Sequence, residues 1–367
     1  MHLFPGIKNR YTQEHVSAQE AQQQAEIIAW GPAVFQASRI MLKWGILDML
    51  RNSDDGLTRE EIVERTQKSD YAIKCLLEAS LCIGIVLVNT ETTRFTLSKV
   101  GWFLLNTPFT RVNIDFNHDV NYEGWFLLEE SLESGKPVGL RHFGNWQTVY
   151  EGLSQLPSNV QESWFGFDHF YSDASFPQAL KIVFDKYHTR SIYDVGGNTG
   201  KWALQCVGYS PDVEITILDL PQQIDMMREN VRGKSGAERI HGYGINLLDS
   251  EADFPTQQEL DAIWMSQFLD CFSMEETVSI LMRAKSAMTQ NTRIFIMETL
   301  WDRQKHHTAA FCLTMTSLYF AAIANGNSKM YNTEDMDYCI HKAGLEVEEI
   351  YDGIGLGHSI IVCKLQI

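Results

Sequence analysis

Between residues 17 and 50 a Gln-rich polar stretch gives way to Ile27, Ile28, Val34, Phe35, Ile40, Met41, Trp44, Ile46 and Leu47. Large apolar side chains on so many successive turns predict helix. They also exceed what one intramolecular face needs, so part of this surface is expected to be covered by a second copy of the chain. Next, Thr58 and Glu61 form a capping box that opens a short helix through Ile62 and Val63. Ser69 caps a second helix carrying Tyr71, Ile73, Leu76 and Leu77, which ends at Gly84. Strands over 85–88 and 94–97 flank the polar turn 89–93. Helix, helix and hairpin predict a winged-helix unit within a mainly α dimerisation domain over 1–110. Such units often grip DNA, but the second helix holds one Lys and two acids between Asp70 and Ser80, too few cations to hold phosphates. It reads as a packing module.

From 111 to 178 the pattern is a helical connecting region rich in aromatics, among them Trp125, Trp146, Trp164, Phe165, Phe167, Phe170 and Tyr171. The stripe Phe176, Leu180, Val183, Phe184 and Tyr187 marks a helix, and from there helix and strand alternate. Strands are expected at 191–195, 214–218, 260–264 and 293–297, and two more at 347–351 and 358–365. Alternation of this kind predicts a parallel, doubly wound, Rossmann-like α/β sheet over 179–367, with its ligand beyond the carboxyl ends of the strands. The last two strands, joined by a short loop, must be antiparallel neighbours.

Composition narrows the function. With 47 acidic against 30 basic residues the formal net charge is -17, which would repel nucleic acid and acidic membrane surfaces. Seven widely spaced cysteines, with no CxxC pair, suit a reducing cytoplasm and no zinc cluster. No stretch is expected to approach the roughly 20 apolar residues of a membrane span.

The chemistry concentrates where strands end. In Asp194-Val195-Gly196-Gly197-Asn198-Thr199-Gly200 the glycines let the backbone approach a ligand, and the following helix turns its first N–H groups toward it. Dinucleotide sites use a related turn. Here Asp194 precedes the glycines, which favours the ammonium of a methionine moiety over a pyrophosphate. Asn198 stands where a glycine is usual and tolerates the left-handed region better than most residues. Asp219, 25 positions beyond Asp194 at the next strand end, suits both hydroxyls of a ribose, as in NAD and S-adenosylmethionine sites. After the third strand region Asn246 can hydrogen-bond an adenine amino group while Leu247 packs on the ring. Asp270, beyond the fourth strand, and Glu298, closing the fifth, are placed to converge beside the cofactor.

These segments, with Met265 to Ser273 and Lys342-Ala343-Gly344-Leu345, make the chain from about Val34 onward resemble the plant-type and bacterial small-molecule O-methyltransferases, such as those acting on caffeic acid and hydroxyneurosporene. The resemblance implies an obligate homodimer built through the winged-helix region, S-adenosylmethionine as methyl donor with S-adenosylhomocysteine as product, and a small hydroxylated acceptor. It adds Leu220, Ser266 and Ser175 to the cofactor contacts. It places His118, Phe167, His169, Tyr171 and Asn325 at the acceptor. The family's histidine base aligns with Asp270, its second acid with Met330, its cofactor-contacting base with Ser266 and its adenine-binding Asp with Asn246. On this reading Asp270 takes the hydroxyl proton and Glu298 fixes its neighbour, with no metal, unless His118 or His169 replaces the missing imidazole. Carbon or nitrogen methylation on the same fold, or binding of the cofactor without turnover, are the alternatives.

Overall fold

The structure, a computed structural model, describes residues 3–256 and 259–366; the side chains of 169–173 lie outside the described residues. Contacts divide the chain into two units, one of Glu14–Asp119 and one of Met1–Gln13 with Val120–Ile367.

In the smaller unit the capping chemistry sets the helix starts. Thr58 accepts the Glu61 N–H at 3.3 Å while Glu61 accepts the Thr58 N–H at 2.8 Å, opening Arg59–Thr66. Ser69 accepts the Ala72 N–H at 3.2 Å and opens Asp70–Ile83, which Gly84 ends in the left-handed region. Strands β1 (Val86–Asn89) and β2 (Arg94–Leu97) pair antiparallel as the wing. Residues 17–50 form three helices, Ala18–Ala29, Gly31–Lys43 and Ile46–Arg51, divided at Pro32 and at Gly45 with φ +70°. The last two contribute Met41, Leu42, Ile46 and Leu47 to the core. Ala18–Ala29 buries none of its residues, and Ile28 and Trp30 stand 78% and 66% exposed.

The larger unit is built on a seven-stranded sheet. Its strands are β3 (Ser191–Val195), β4 (Glu214–Asp219), β5 (Ile240–Gly244), β6 (Ala262–Ser266), β7 (Arg293–Glu298), β8 (Leu345–Ile354) and β9 (His358–Leu365), in the order 5-4-3-6-7-9-8. The first five are parallel, and β9 runs antiparallel to both β7 and β8. Burial on both faces explains their nearly continuous apolar runs. One core holds Tyr193, Val195, Met265 and Ile296. The other holds Ile192, Ile217, Trp264 and Phe295, with Trp202 stacked on Trp264 at 4.4 Å. Strand order reverses between β3 and β6, which opens a crevice at their carboxyl ends.

Three expectations need correction. The strand expected at 260–264 runs over Ala262–Ser266; just ahead of it the Asp261 N–H donates to the Ser191 carbonyl at 3.1 Å and its carboxylate accepts the Arg190 and Ser191 N–H groups at 2.7 and 3.1 Å. Residues 3–13 do not join the N-terminal unit: the Phe4 N–H donates to the Asp302 carbonyl at 3.1 Å, and Tyr11 lies edge-on to Trp301. The connecting region from Val120 groups with the larger unit. Finally, helix His307–Tyr319 runs on through a π-turn, Phe320–Ala324, into one apolar helix long enough to cross a membrane. Its buried positions, Ala310, Leu313 and 319–324, pack inside the protein.

Candidate active site

The turn after β3 is set by steric need. Gly196 has φ +72°, and a Cβ there would fall 2.4 Å from the Phe268 ring; a Cβ on Gly197 would fall 2.6 Å from Asp194 Oδ2. Side chains would therefore separate this turn both from its own carboxylate and from the segment after β6. Asn198 takes the left-handed region at φ +49°, as its residue type allows, and Gly200 at φ +76° leads into helix Lys201–Tyr209. Asp194 is 2% exposed and its Oδ2 has no hydrogen-bond partner among the described residues. Burial, and then repulsion from Asp219, push its carboxyl up to about 8. A cationic ligand group would satisfy that oxygen and draw the value back down.

Asp219 ends β4. Its Oδ2 accepts the Asn198 N–H at 2.9 Å and its Oδ1 the Leu220 N–H at 2.7 Å, tying the glycine turn to the adjacent strand end. Each oxygen keeps a second lone pair for a ribose hydroxyl. Leu220 caps helix Pro221–Val231, Ser266 ends β6 half-buried, and Asn246 is exposed after β5 with its Oδ1 on the Leu248 N–H at 3.0 Å. Leu247 is buried and belongs to the apolar core that also holds Tyr193, Val195 and Leu218, and Leu248 is exposed. Ser175 is fully buried at the head of helix Phe176–Leu180, closed over by the backbone of Gly355.

At the end of β6 the chain makes a one-turn 3₁₀ helix, Leu269–Cys271, that carries Asp270. Glu298, at the end of β7, accepts the Phe268 and Leu269 N–H groups at 3.0 and 2.9 Å and so fixes this turn. Asn325 holds it from the other side, donating from Nδ2 to the Cys271 carbonyl at 2.6 Å. Its Oδ1 accepts the Ser328 N–H at 3.2 Å, so the amide expected at the acceptor is occupied by the protein. Asp270 accepts from the Cys271 thiol at 3.5 Å. Burial raises its carboxyl to about 7, and repulsion from Asp168 adds to the rise. Burial and then the Asp270 charge hold Glu298 well above the usual carboxylate range. Burial thus raises both carboxyls above the ordinary carboxylate range.

Four neighbours escaped the sequence reading. Tyr150 hydrogen-bonds with the Cys271 thiol, and burial pushes its phenol well up. Tyr319 accepts the Trp164 indole N–H at 2.7 Å, and Asp168 acts electrostatically on both Tyr319 and Asp270. The spacing of Trp164 and Asp168, four apart on helix Ser158–Ser172, was the available signal. Phe167 sits half-buried on that helix, whereas the side chains of His169 and Tyr171 lie outside the described residues. His118 belongs to the smaller unit, where its Nδ1 lies 2.7 Å from Asp119 Oδ1. Met330 is buried with its N–H on Ser317 Oγ at 3.2 Å. Among the described residues no group of His, Cys, Asp and Glu is arranged to hold a metal ion.

Two family profiles match the sequence: a Dimerisation2-like domain over residues 22–95 and an O-methyltransferase domain over 176–345. The L-tyrosine C(3)-methyltransferase of Streptomyces lavendulae is 25% identical over 331 residues, spanning 88% of this chain and 87% of that protein. Among solved structures, the apo form of the S-adenosylmethionine-dependent methyltransferase SibL aligns with a TM-score of 0.70 at 19% identity, covering 93% of this chain and 98% of that one. The O-methyltransferase NcsB1 of neocarzinostatin biosynthesis, in complex with S-adenosylmethionine and 2-hydroxy-5-methyl naphthoic acid, aligns with a TM-score of 0.66 at 18% identity, covering 91% and 96%.

Proposed function

We propose, from its Dimerisation2-like and O-methyltransferase domain matches, that the chain is an S-adenosylmethionine-dependent O-methyltransferase that methylates the hydroxyl of a small aromatic or polyene acceptor, with Asp270 as the base. The observation that carries this reading is Asp270 itself, a buried carboxyl near neutrality on a turn fixed by Glu298, at the same sheet edge as Asp194 and Asp219. When bound, S-adenosylmethionine supplies a methyl group on a positive sulfur. Asp194, with its unpartnered buried oxygen, fits the ammonium end, and Asp219 fits the ribose.

The protein's part is placement and proton removal. Residues of the site would hold the acceptor hydroxyl against the donor's methyl group, and such placement would supply much of the acceleration. An unperturbed phenol, with a pKa of about 10, is mostly protonated at neutral pH. A carboxyl near 7 is a stronger base than an ordinary Asp and closes much of the gap to histidine. The exposed apolar face of helix Ala18–Ala29 supports a homodimer, and the seven free cysteines fit the cytoplasm.

Carbon methylation is the second reading. It is favoured by the carboxylate at the family's histidine position and by the L-tyrosine C(3)-methyltransferase among the relatives. The test is mass spectrometry of a panel of phenols incubated with the chain and deuteromethyl-labelled S-adenosylmethionine. A product heavier by one labelled methyl on oxygen supports the main reading, and one on a ring carbon the second. If cofactor binds but no acceptor is methylated, the chain binds without turnover and both readings fail.

A further inference from the structure

A short helical turn leaves its last carbonyls without intrahelical donors, and where the turn is buried they must find partners elsewhere. In Leu269–Cys271 the N–H side is already closed. The Cys271 N–H donates to the Phe268 carbonyl and the Phe272 N–H to the Leu269 carbonyl, both at 3.2 Å, while Glu298 takes the Phe268 and Leu269 N–H groups. The carbonyls of Cys271 and Phe272 remain, just ahead of helix Met274–Ser286, which Ser273 opens with a capping box. Side chains from one segment meet both. Asn325 Nδ2 donates to the Cys271 carbonyl and Tyr331 Oη to the Phe272 carbonyl, each at 2.6 Å.

A primary amide has two N–H donors and two carbonyl lone pairs. In Asn325, Nδ2 meets the Cys271 carbonyl and Ser328 Oγ at 2.6 and 2.8 Å, and Oδ1 accepts the Ser328 and Asn327 N–H groups at 3.2 and 3.3 Å. Its hydrogen-bonding capacity is thus used within the protein, whereas the family resemblance places it at the acceptor. Tyr331 is 4% exposed, and its carbonyl accepts the Trp301 N–H at 3.3 Å, so its backbone is fixed as well. Between the two, Gly326 turns at φ +85°, where a Cβ would fall 2.4 Å from the Lys136 backbone. The two donors therefore sit on a segment with little room to shift.

We propose that Asn325 and Tyr331 are positioning residues for the methyl transfer, holding the turn that carries Asp270 by its two exit carbonyls, and that Asn325 does not read the acceptor. The proposal rests on the reading of Asp270 as base. With Glu298 on the N–H side and this pair on the carbonyl side, the turn is gripped at both ends. Both residues act only through the placement of Asp270. A misplacement of about 1 Å costs about 10²-fold in rate. Because a placed base counts in the transition state, its loss falls on kcat rather than on acceptor KM.

The experiment uses the full chain and two variants, Tyr331→Phe, which deletes one oxygen, and Asn325→Ala, which removes the amide. With a phenol of the panel that the wild type methylates, each should lower kcat several-fold. Acceptor KM, the ranking of the phenols and calorimetric S-adenosylhomocysteine affinity should stay close to wild type. A loosened turn admits water, so a carboxyl that burial holds high should titrate lower. In chain labelled with carboxyl-¹³C aspartate, with S-adenosylhomocysteine present, the Asp270 resonance is assigned from Asp270→Asn. Its titration should move down by about half a pH unit in Tyr331→Phe. The other groups that act on it, Asp168, Glu298, Tyr150, Tyr319 and the Cys271 thiol, are unchanged in that variant. A wild-type kcat in Tyr331→Phe, or an Asp270 titration that stays in place, would overturn the clamp, and this variant decides alone if Asn325→Ala does not fold. A raised acceptor KM or an altered ranking in Asn325→Ala would overturn the assignment of Asn325. Full activity in Asp270→Asn would instead overturn the base reading on which both rest.

Discussion

On the proposed reading Asp270 combines position and environment: it follows the end of β6, and burial raises its carboxyl to about 7. Replacing it with Asn should lower methyl transfer by about 10² to 10⁴-fold, the usual contribution of a placed base. Cofactor affinity should change little, and a steady-state assay beside calorimetry separates the two. Because the ionised form is the base, kcat/KM should rise with pH through about 7, and this acidic limb should vanish in the Asn variant. Asp194 carries a linked stability effect. Its folded value, about 8, lies above its ordinary range, so its contribution to stability is complete at low pH and is lost as pH rises through 8. Asp194→Asn, which cannot ionise, should therefore melt a few degrees higher than wild type at pH 8 without cofactor, yet bind S-adenosylmethionine less tightly; an unchanged melting temperature would argue against a buried charge. The positions of Asp194, Asp219, Asp270 and Glu298 were legible in the sequence because each lies in the last residues of a recognisable strand or just beyond it. Tyr319 and Trp164 were not, since 155 positions separate the partners of their hydrogen bond and no periodic pattern records such a contact.

Elements were legible to the extent that local chemistry determined them. The capping pairs at Thr58, Ser69 and their partners, the glycine turn and the alternation from Ser191 onward are short-range signals. Residues 17–50 read as one apolar helical stretch, but Pro32 and Gly45 divide it, and only the second and third helices enter the core. The start of β6 lies two residues beyond the expected one, a boundary shift that no apolar pattern records. Leu247 is buried in the same apolar core as Tyr193, Val195 and Leu218, while Leu248 is exposed. The glycine turn itself yields a sharp expectation. In Gly197→Ala the new methyl would lie 2.6 Å from Asp194 Oδ2, so the turn or the carboxylate must shift. The variant should fold, with a circular dichroism spectrum close to wild type, and lose S-adenosylhomocysteine affinity by at least tenfold; wild-type affinity would mean that this turn does not cradle the ligand.

At the scale of the whole molecule, helix Ala18–Ala29 is an unfinished surface, with Ile28 and Trp30 in water and no residue of its own buried. Light scattering should give twice the 41.9 kDa chain mass at micromolar concentration, and Trp30→Asp should shift the population toward monomer; a wild-type monomer would contradict the dimer. The central claim is that this sheet edge holds S-adenosylmethionine, and calorimetric titration of the purified full chain with S-adenosylhomocysteine, and separately with NAD, tests it most directly. The account predicts one S-adenosylhomocysteine per chain, weakened in Asp219→Ala, and little heat from NAD. Tighter binding of NAD, or no heat from S-adenosylhomocysteine, would contradict it.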